Sequence, residues 1–244
     1  MQVDKGAKVL IFIDIETTGL EENDKICSIA VIDPEARECK YELVNEGKKI
    51  PSQASSVHHI TNEMIKGKPA FKGGEIYEFL LKNNSEENTL VAHNVKFDLR
   101  FLASSGLAWK GDAIDTSRIV KHLIPECEFI SLQSLRYELK LYKNEELEKQ
   151  KYGIKDAIIA HNALSDALVD KTLFDYLLDM ASVDEMKELS FKNALVQKFN
   201  FGKHKGKYVE EICSNDRGYV EWALSSDMDE DIKYSINYYL QGSL

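Results

Sequence analysis

Three shortages narrow the reading before any motif is considered. Cysteines are few: Cys27, Cys39, Cys127 and Cys213 are the four in 244 residues, and no two form a Cys-x-x-Cys pair. That scatter excludes a zinc knuckle and a disulfide framework, and it predicts a reducing compartment, the cytoplasm. Long apolar runs are missing. The stretch at residues 9–13 is broken by Asp14, well short of the ~20 residues that span a bilayer, so neither a membrane helix nor a signal peptide is expected. Basic charge is also in deficit: 41 acidic against 31 basic residues give a net charge of −10. A nucleic-acid partner ordinarily wants a basic footprint. The sum decides little, because bound cations neutralise an acid cluster and because lysines gather locally. Lys192, Lys198, Lys203, Lys205 and Lys207 follow one another with no acid between them.

What remains is a globular composition, 43% hydrophobic and 30% charged. The length suits one large domain, or a large domain with a small one. The organising stretch is Phe12-Ile13-Asp14-Ile15-Glu16-Thr17-Thr18-Gly19-Leu20. Read as a strand, period two puts Asp14 and Glu16 on one face, Ile13 and Ile15 on the other. Two adjacent carboxylates repel unless a cation lies between them, and such oxygen ligands suit Mg²⁺ or Mn²⁺. A strand end with its acids in solvent fits the same residues.

Strand-like runs at 26–32 and 41–44, joined by short turns, predict an antiparallel meander opening an α/β sheet. Residues 50–62 read as a loop carrying His58 and His59. Apolar spacing predicts a helix over 69–81 despite Gly73 and Gly74. A buried strand at 89–92 runs into His93, with Asn94 as the N-cap of a helix that stops at Gly106. On that helix Phe97, Phe101 and Leu102 make an apolar stripe. Asp98 sits one turn in, as a dipole-capping acid or as a ligand. A strand at 113–115, a helix at 116–123 and a helix at 131–139 capped by Ser131 come next. Residues 143–156 read as charged and loose. They lead to His161 and a long helix reaching Met180. Leu164, Leu168, Phe174, Leu177 and Leu178 form its core face, Ala163 and Ala167 permit close approach, and Asp166 lies within it.

Asp14, Glu16, Asp98, His161 and Asp166 thus stand in a fixed order, and their surroundings resemble the DEDDh branch of the DnaQ-like 3′→5′ exonucleases. Asp14-Ile15-Glu16-Thr17-Thr18-Gly19 looks like the first motif of that family. His93-Asn94-Val95-Lys96-Phe97-Asp98 looks like the second, and His161-Asn162-Ala163-Leu164-Ser165-Asp166 like the third. Each is weak alone; three in order are specific. Phe201-Gly202-Lys203-His204-Lys205-Gly206-Lys207, followed by Gly218-Tyr219-Val220-Glu221-Trp222, is similar to the C-terminal module of the exodeoxyribonuclease X group. So is the loop at 50–61.

The resemblance implies an α/β, RNase H-like mixed sheet flanked by helices. It places a catalytic domain at 1–182, a connecting segment at 183–195 and a small α+β module at 196–244. The implied activity is a metal-dependent 3′→5′ exodeoxyribonuclease that releases nucleoside 5′-monophosphates from single-stranded and duplex DNA, in repair or end processing. Asp14, Glu16, Asp98 and Asp166 are assigned to two divalent ions, Mg²⁺ or Mn²⁺, and His161 is assigned as general base. Backbone N–H groups of Thr17, Thr18 and Gly19 would hold the 3′ end, while His58, Asn94 and Phe97 line a nucleotide pocket. Leu20 matches a wedge beside the terminal base, unless it is a plain turn hydrophobe. Lys203, Lys205 and Lys207 offer phosphate contacts or form a solvated turn. Tyr219, Trp222 and Ala223 read as the core of a module small enough to need packing against the catalytic domain. The same motifs admit an RNA-trimming exoribonuclease or a polymerase III epsilon-like proofreading exonuclease. In another class stands a non-catalytic nucleic-acid-binding module.

Overall fold

The computed structural model describes residues 9–242. Its frame is a mixed sheet of five strands: β1 (Leu10–Thr17), β2 (Ile26–Asp33), β3 (Glu38–Leu43), β4 (Thr89–Ala92) and β5 (Asp112–Asp115). Their order is β3-β2-β1-β4-β5. The first three pair antiparallel through short turns, whereas β4 and β5 run parallel to β1 and need helical crossovers. Between β3 and β4 lie α1 (Ser52–His58) and α2 (Glu75–Lys82), and between β4 and β5 lies α3 (Val95–Ser104). After β5 come α4 (Thr116–Leu123), α5 (Leu132–Glu138), α6 (Glu145–Lys151), α7 (Ala163–Leu178) and α8 (Val183–Leu189). The chain closes with α9 (Val209–Asn215), α10 (Arg217–Ser225) and α11 (Glu230–Gly242). Among the described residues no helix is long and apolar enough to cross a membrane.

The alternation along β1 sorts the core. Ile11, Ile13 and Ile15 pack with Ile76 and Leu80 of α2 and Leu102 of α3. Phe12 faces the other way, among Leu168, Phe174 and Leu177 of α7. Asp14 and Glu16 continue the Phe12 register, so both acids emerge on the α7 side of the sheet. Phe12 and Phe174 meet edge-on with ring centroids 5.2 Å apart. Ala163 and Ala167 are fully buried, and their small side chains let the start of α7 come close to its neighbours.

Several local readings are corrected here. Residues 50–62 are not a loop throughout, because they contain α1. Pro51 supplies a fixed φ at its start, and Asn62 closes the segment by bonding both the N–H and the carbonyl of Ile50 (2.9 Å each). The stretch at 69–81 is not one helix. A 3₁₀ turn at Phe71–Gly73 precedes α2, whose first N–H groups, on Glu75 (2.6 Å) and Ile76 (3.2 Å), donate to the Glu42 carboxylate. β3 starts earlier than residue 41, since its pairing with β2 extends to Asp33 and Glu38. Asn94 holds the N-cap position without a side-chain capping bond. Its backbone is left-handed (φ 77°) and its N–H donates to Asp115 Oδ1 at 3.1 Å.

Residues 143–156 are not loose. They carry α6, where Glu148 is buried and accepts from Lys151 (2.6 Å) and Lys171 (2.9 Å). Charge that reads as solvated is paired internally. α7 begins at Ala163, capped by Asn162, and ends at Leu178 rather than reaching Met180.

The C-terminal module packs α9, α10 and α11 around Phe199, Val209, Ile212, Val220, Ile232 and Ile236. A single antiparallel bridge, Lys198 with Tyr208, closes its lysine-rich loop. Ala223 belongs to this core and Tyr219 packs at its edge. Trp222 does not, being 55% exposed. The buried stripe of α10 runs through Val220 and Ala223, three residues apart, and Trp222 lies off it.

The module is fastened to the sheet domain through Asp231. This buried carboxylate accepts from Arg118 and from Lys121 Nζ (2.8 Å), both on α4, and from the Ala194 N–H (3.0 Å). Burial pushes its carboxyl up, but the Arg118 and Lys121 bonds outweigh that and hold it below the usual carboxylate range. The connecting segment is anchored as well, through Ser190, whose hydroxyl accepts the Asp115 N–H at 2.9 Å.

Replacing Asp231 by Ala leaves two cations without their shared partner, and a loss of about 3 kcal/mol at neutral pH is expected in urea unfolding. A depressed pKa stabilises above the unfolded value and is lost below it. The difference between wild type and Asp231→Ala therefore closes as the pH falls below about 4, the unfolded carboxyl value.

Candidate active site

The tip of β1 carries the acids into a cavity of about 940 Å³. Glu16 pairs with Ser28 but Thr17 with Ile26, so Cys27 is the extra residue of a bulge that bends the sheet just beyond the acids. The turn that follows is organised by Asp24. Its carboxylate accepts from the Thr18 hydroxyl (2.7 Å), the Glu21 N–H (2.9 Å) and Lys48 Nζ (2.7 Å). The bond from Lys48 is the main reason that the Asp24 carboxyl lies below its usual range. A Cβ on Gly19 would sit 2.4 Å from Asp24 Oδ2, so any larger residue there would displace the carboxylate that organises the turn. Arg100 donates to the Leu20 carbonyl at 2.9 Å, and the Leu20 side chain stands 73% exposed at the rim.

Asp14, Glu16, Asp98, His161 and Asp166 all line this cavity. Three separate elements deliver them. Asp14 and Glu16 come from β1, Asp98 from the first turn of α3, and Asp166 from the first turn of α7. His161 precedes α7 in a left-handed backbone conformation (φ 58°) with its side chain exposed. Glu16, His161 and Asp166 present ligand atoms that all lie within 4.8 Å of one another.

The charge state shows what is missing from such a cluster. Burial, then the charges of Asp166, Asp98 and Glu16, push the Asp14 carboxyl well above the usual range. Burial and then Asp166 push Glu16 up to about 8. Asp98 is raised by burial above all, and so is Asp166, although Gln133 and His161 pull the latter down. Among the described residues lining the cavity, Lys48 is the one fixed cation, and Asp24 engages it. Several carboxylates without a counter-charge, aimed at one space, are the oxygen donor set of a hard divalent cation. The residues fit such an ion.

The residues expected to touch substrate also line the cavity, with individual differences. Thr18 has both donors engaged: its N–H bonds the Lys25 carbonyl (2.8 Å) and its hydroxyl bonds Asp24. Thr17 turns its hydroxyl onto the Gly19 carbonyl (2.6 Å). His58 receives the Ile60 N–H on Nδ1 (3.0 Å), which puts its own proton on Nε2, facing the Thr17 carbonyl at 3.2 Å. Burial lowers its pKa and keeps it neutral. Its polar atoms therefore hold the end of β1. Asn94 is exposed, and Phe97 packs on Phe101 with ring centroids 4.8 Å apart. Lys203, Lys205 and Lys207 lie on the module and do not line the cavity. Lys203 pairs with Asp216 (2.8 Å), whereas Lys205 and Lys207 are exposed and make no ion pair among the described residues.

Three site residues escape sequence reasoning. His93 lines the cavity, held by Thr116 Oγ1 (2.9 Å) and the Ile130 carbonyl (2.7 Å). Asp170 lies buried behind the site, bonded to Thr116, and burial pushes its carboxyl up to about 8. Its four-residue spacing from Asp166 was a readable signal, because such pairs share a helix face. Gln133 donates Nε2 to Asp166 Oδ1 at 2.7 Å. It arrives from a different helix, and no local pattern marks it.

Comparison with known proteins agrees with this geometry. Residues 11–174 match the family model described as Exonuclease, and residues 199–225 match one described as Exodeoxyribonuclease X-like C-terminal. The chain belongs to the exonuclease family and is a 3′→5′ exonuclease, a hydrolase of phosphodiester bonds. Over 240 residues it is 26% identical to exodeoxyribonuclease 10 of Escherichia coli strain K12, spanning 96% of this chain and 100% of that relative. It is 27% identical over 222 residues to the PolC-type DNA polymerase III of Thermotoga maritima, covering 87% of this chain but 15% of the polymerase. Among solved structures, exonuclease X in complex with 5′ overhanging duplex DNA matches with a TM-score of 0.59 at 26% identity, over 74% of this chain and 99% of that one. Escherichia coli exonuclease I in complex with a dA16 oligonucleotide shares the fold, with a TM-score of 0.55 at 13% identity over 74% of this chain and 42% of that one. The five-stranded sheet with its flanking helices is thus the RNase H-like exonuclease fold.

The raised carboxyls make a pH prediction. Glu16 and Asp170 hold their protons up to about 8 in the folded, metal-free protein, against about 4 in the unfolded chain. The folded state therefore binds more protons across that window, and metal-free stability falls as the pH rises through it. Thermal unfolding in EDTA and in Mg²⁺ should show a metal-induced rise in Tm that is larger at pH 8 than at pH 5. Equal gains at both pH values would mean that Glu16 does not meet the ion.

Proposed function

We propose that this exonuclease is a metal-dependent 3′→5′ exodeoxyribonuclease, releasing nucleoside 5′-monophosphates from single-stranded and duplex DNA 3′ ends in repair or end processing. The observation that carries this reading is the convergence of four carboxylates and His161 on one open cavity. Its support on the choice of DNA is that the relative matched along its full length is an exodeoxyribonuclease. The chemistry belongs to residues 1–182, with 183–195 connecting them to a module at 196–244. Four free cysteines suit a reducing compartment, the cytoplasm.

Asp14, Glu16, Asp98 and Asp166, which all line the cavity, would hold two divalent ions, Mg²⁺ or Mn²⁺. Bound there, such ions activate a water and neutralise the charge that builds on the phosphorane and the leaving oxygen. His161, at the rim beside Glu16 and Asp166, takes the proton from the attacking water. Of the Thr-Thr-Gly turn, Gly19 retains an N–H to offer the 3′ end, since Thr18 has its own engaged. Leu20 and Phe97 offer apolar faces to the terminal base, a contact that tolerates any sequence. On the module, Lys205 and Lys207 meet the backbone phosphates further along the DNA, with Lys203 divided between DNA and Asp216.

A 5′-labelled single-stranded DNA and its RNA counterpart, each with Mg²⁺, with EDTA and with Asp14→Ala, test the reading. The expected result is a Mg²⁺-dependent ladder shortening from the 3′ end on DNA, weak on RNA and absent in the variant. A ladder mainly on RNA would move the protein to RNA trimming. No ladder on either would leave a nucleic-acid-binding module. His161→Ala should keep metal and DNA binding while the rate drops by about 10²–10⁴-fold, and wild-type turnover would remove His161 from the mechanism. Reversing Lys205 and Lys207 to Glu should weaken DNA binding and flatten its salt dependence by about 0.7–0.9 in log–log slope per lost contact. An unchanged slope would make these lysines a solvated turn.

A further inference from the structure

Asp166 is held by a line of side chains that starts two helices away. Gln133, in the first turn of α5, donates Nε2 to Asp166 Oδ1 at 2.7 Å. Its amide has no freedom to flip. Arg136, one turn along the same helix, donates Nη1 to Gln133 Oε1 at 3.1 Å. A guanidinium only donates, so the amide oxygen must face Arg136 and the amide NH₂ must face Asp166. Arg136 is itself fixed by a two-pronged pair with Glu145 at the start of α6, Nη2 to Oε2 at 2.8 Å and Nε to Oε1. Both side chains of that pair are 12% exposed, and the Arg136 guanidinium carbon also lies 5.1 Å from the Tyr137 ring centroid.

The chemistry of the link matters as much as its length. Asp166 faces Glu16 and Asp14, and its hydrogen bonds, from Gln133 and from the His161 backbone, are what keep its carboxylate from swinging toward solvent to relieve the repulsion. A lysine or arginine in direct contact would prevent that but would compete with the ion for the same charge. A neutral amide fixes one oxygen and adds no net charge. The full positive charge is kept one bond back, on Arg136, where Glu145 balances it.

We infer that Gln133 is a positioning residue of the metal site: it fastens Asp166 Oδ1 and presents Oδ2 to the ion, while Arg136 and Glu145 set the orientation of its amide. The inference rests on the metal-binding reading proposed above. It gives a role to the segment of α5 and α6, whose charges otherwise look like surface.

Calorimetric titration of Mn²⁺ into the metal-free full chain tests it. Gln133→Met keeps the side-chain length and removes the donor. Its Mn²⁺ affinity should fall about tenfold, at the lower end of the range for groups that orient metal ligands. The Mg²⁺ concentration giving half-maximal nuclease rate should rise by a similar factor, with the rate largely restored at saturating Mg²⁺ and Tm unchanged. Arg136→Lys keeps the ion pair but loses the fork. It should give a smaller drop alone and none when added to Gln133→Met, because both act through one hydrogen bond. Should Gln133→Met fail to fold, Arg136→Lys carries the test. Wild-type Mn²⁺ affinity in the folded variant overturns the inference, and independent, additive losses overturn the part played by Arg136. A wild-type chain that binds no Mn²⁺ overturns the metal reading itself.

Discussion

The catalytic half of this protein depends on a repulsion held in place by packing. Asp14, Glu16, Asp98 and Asp166 are brought to one cavity although burial makes each costly to ionise, and although Asp166, Asp98 and Glu16 add to that cost for Asp14. What resists their separation lies outside the cavity. β1 is paired with β4 through Leu10, Ile11 and Phe12 and with β2 from Phe12 out to Thr17, so the acids sit just beyond a strand segment held on both sides. α7 is seated on that strand by Phe12 against Phe174, and Ala163 and Ala167 let its first turn come close. A divalent cation bound there would convert the same arrangement from a liability to an attraction, and the apolar core would keep the acids in position to receive it.

Legibility in the sequence followed how local each feature is. The acids of β1 were readable because period two is a property of consecutive residues, and the helix cap at Ser131 obeys an equally local rule. Asp98, His161 and Asp166 were readable by order and by likeness of motif. Asn94 misled because its left-handed backbone is set by a bond to Asp115, a partner 21 residues away. The stretch at 143–156 misled for a related reason. Besides local partners, its acids answer to Arg136, 9 residues from Glu145, and to Lys171, 23 residues from Glu148, both outside the stretch itself. Gln133 lay beyond reach altogether, since an isolated glutamine carries no pattern. Trp222 was placed inside the module by its helical spacing from Tyr219, yet the buried stripe of its helix passes beside it.

The structure also sorts polar groups around the cavity into those that face it and those that hold its walls. His58, Thr18, Asp24 and Lys48 line it, but their hydrogen bonds go mostly to one another's segments. Leu20 and Asn94 remain exposed, as does His161. The rigid wall and the exposed rim therefore come from neighbouring residues of the same short segments.

Ser190 extends that interdependence past the nuclease motifs. Its hydroxyl takes the Asp115 N–H, and the Asp115 carboxylate takes the Asn94 N–H, so two hydrogen bonds join the end of α8 to the second motif. Met186, one turn earlier, is buried in the same cluster as Phe12 and Phe174. The helix that leads to the C-terminal module is thus part of the nuclease interior. In evolutionary terms the module is not a bead that can be restrung at will: a lineage that exchanged or shed it would have to break the chain beyond Ser190, or rebuild the support of its own second motif.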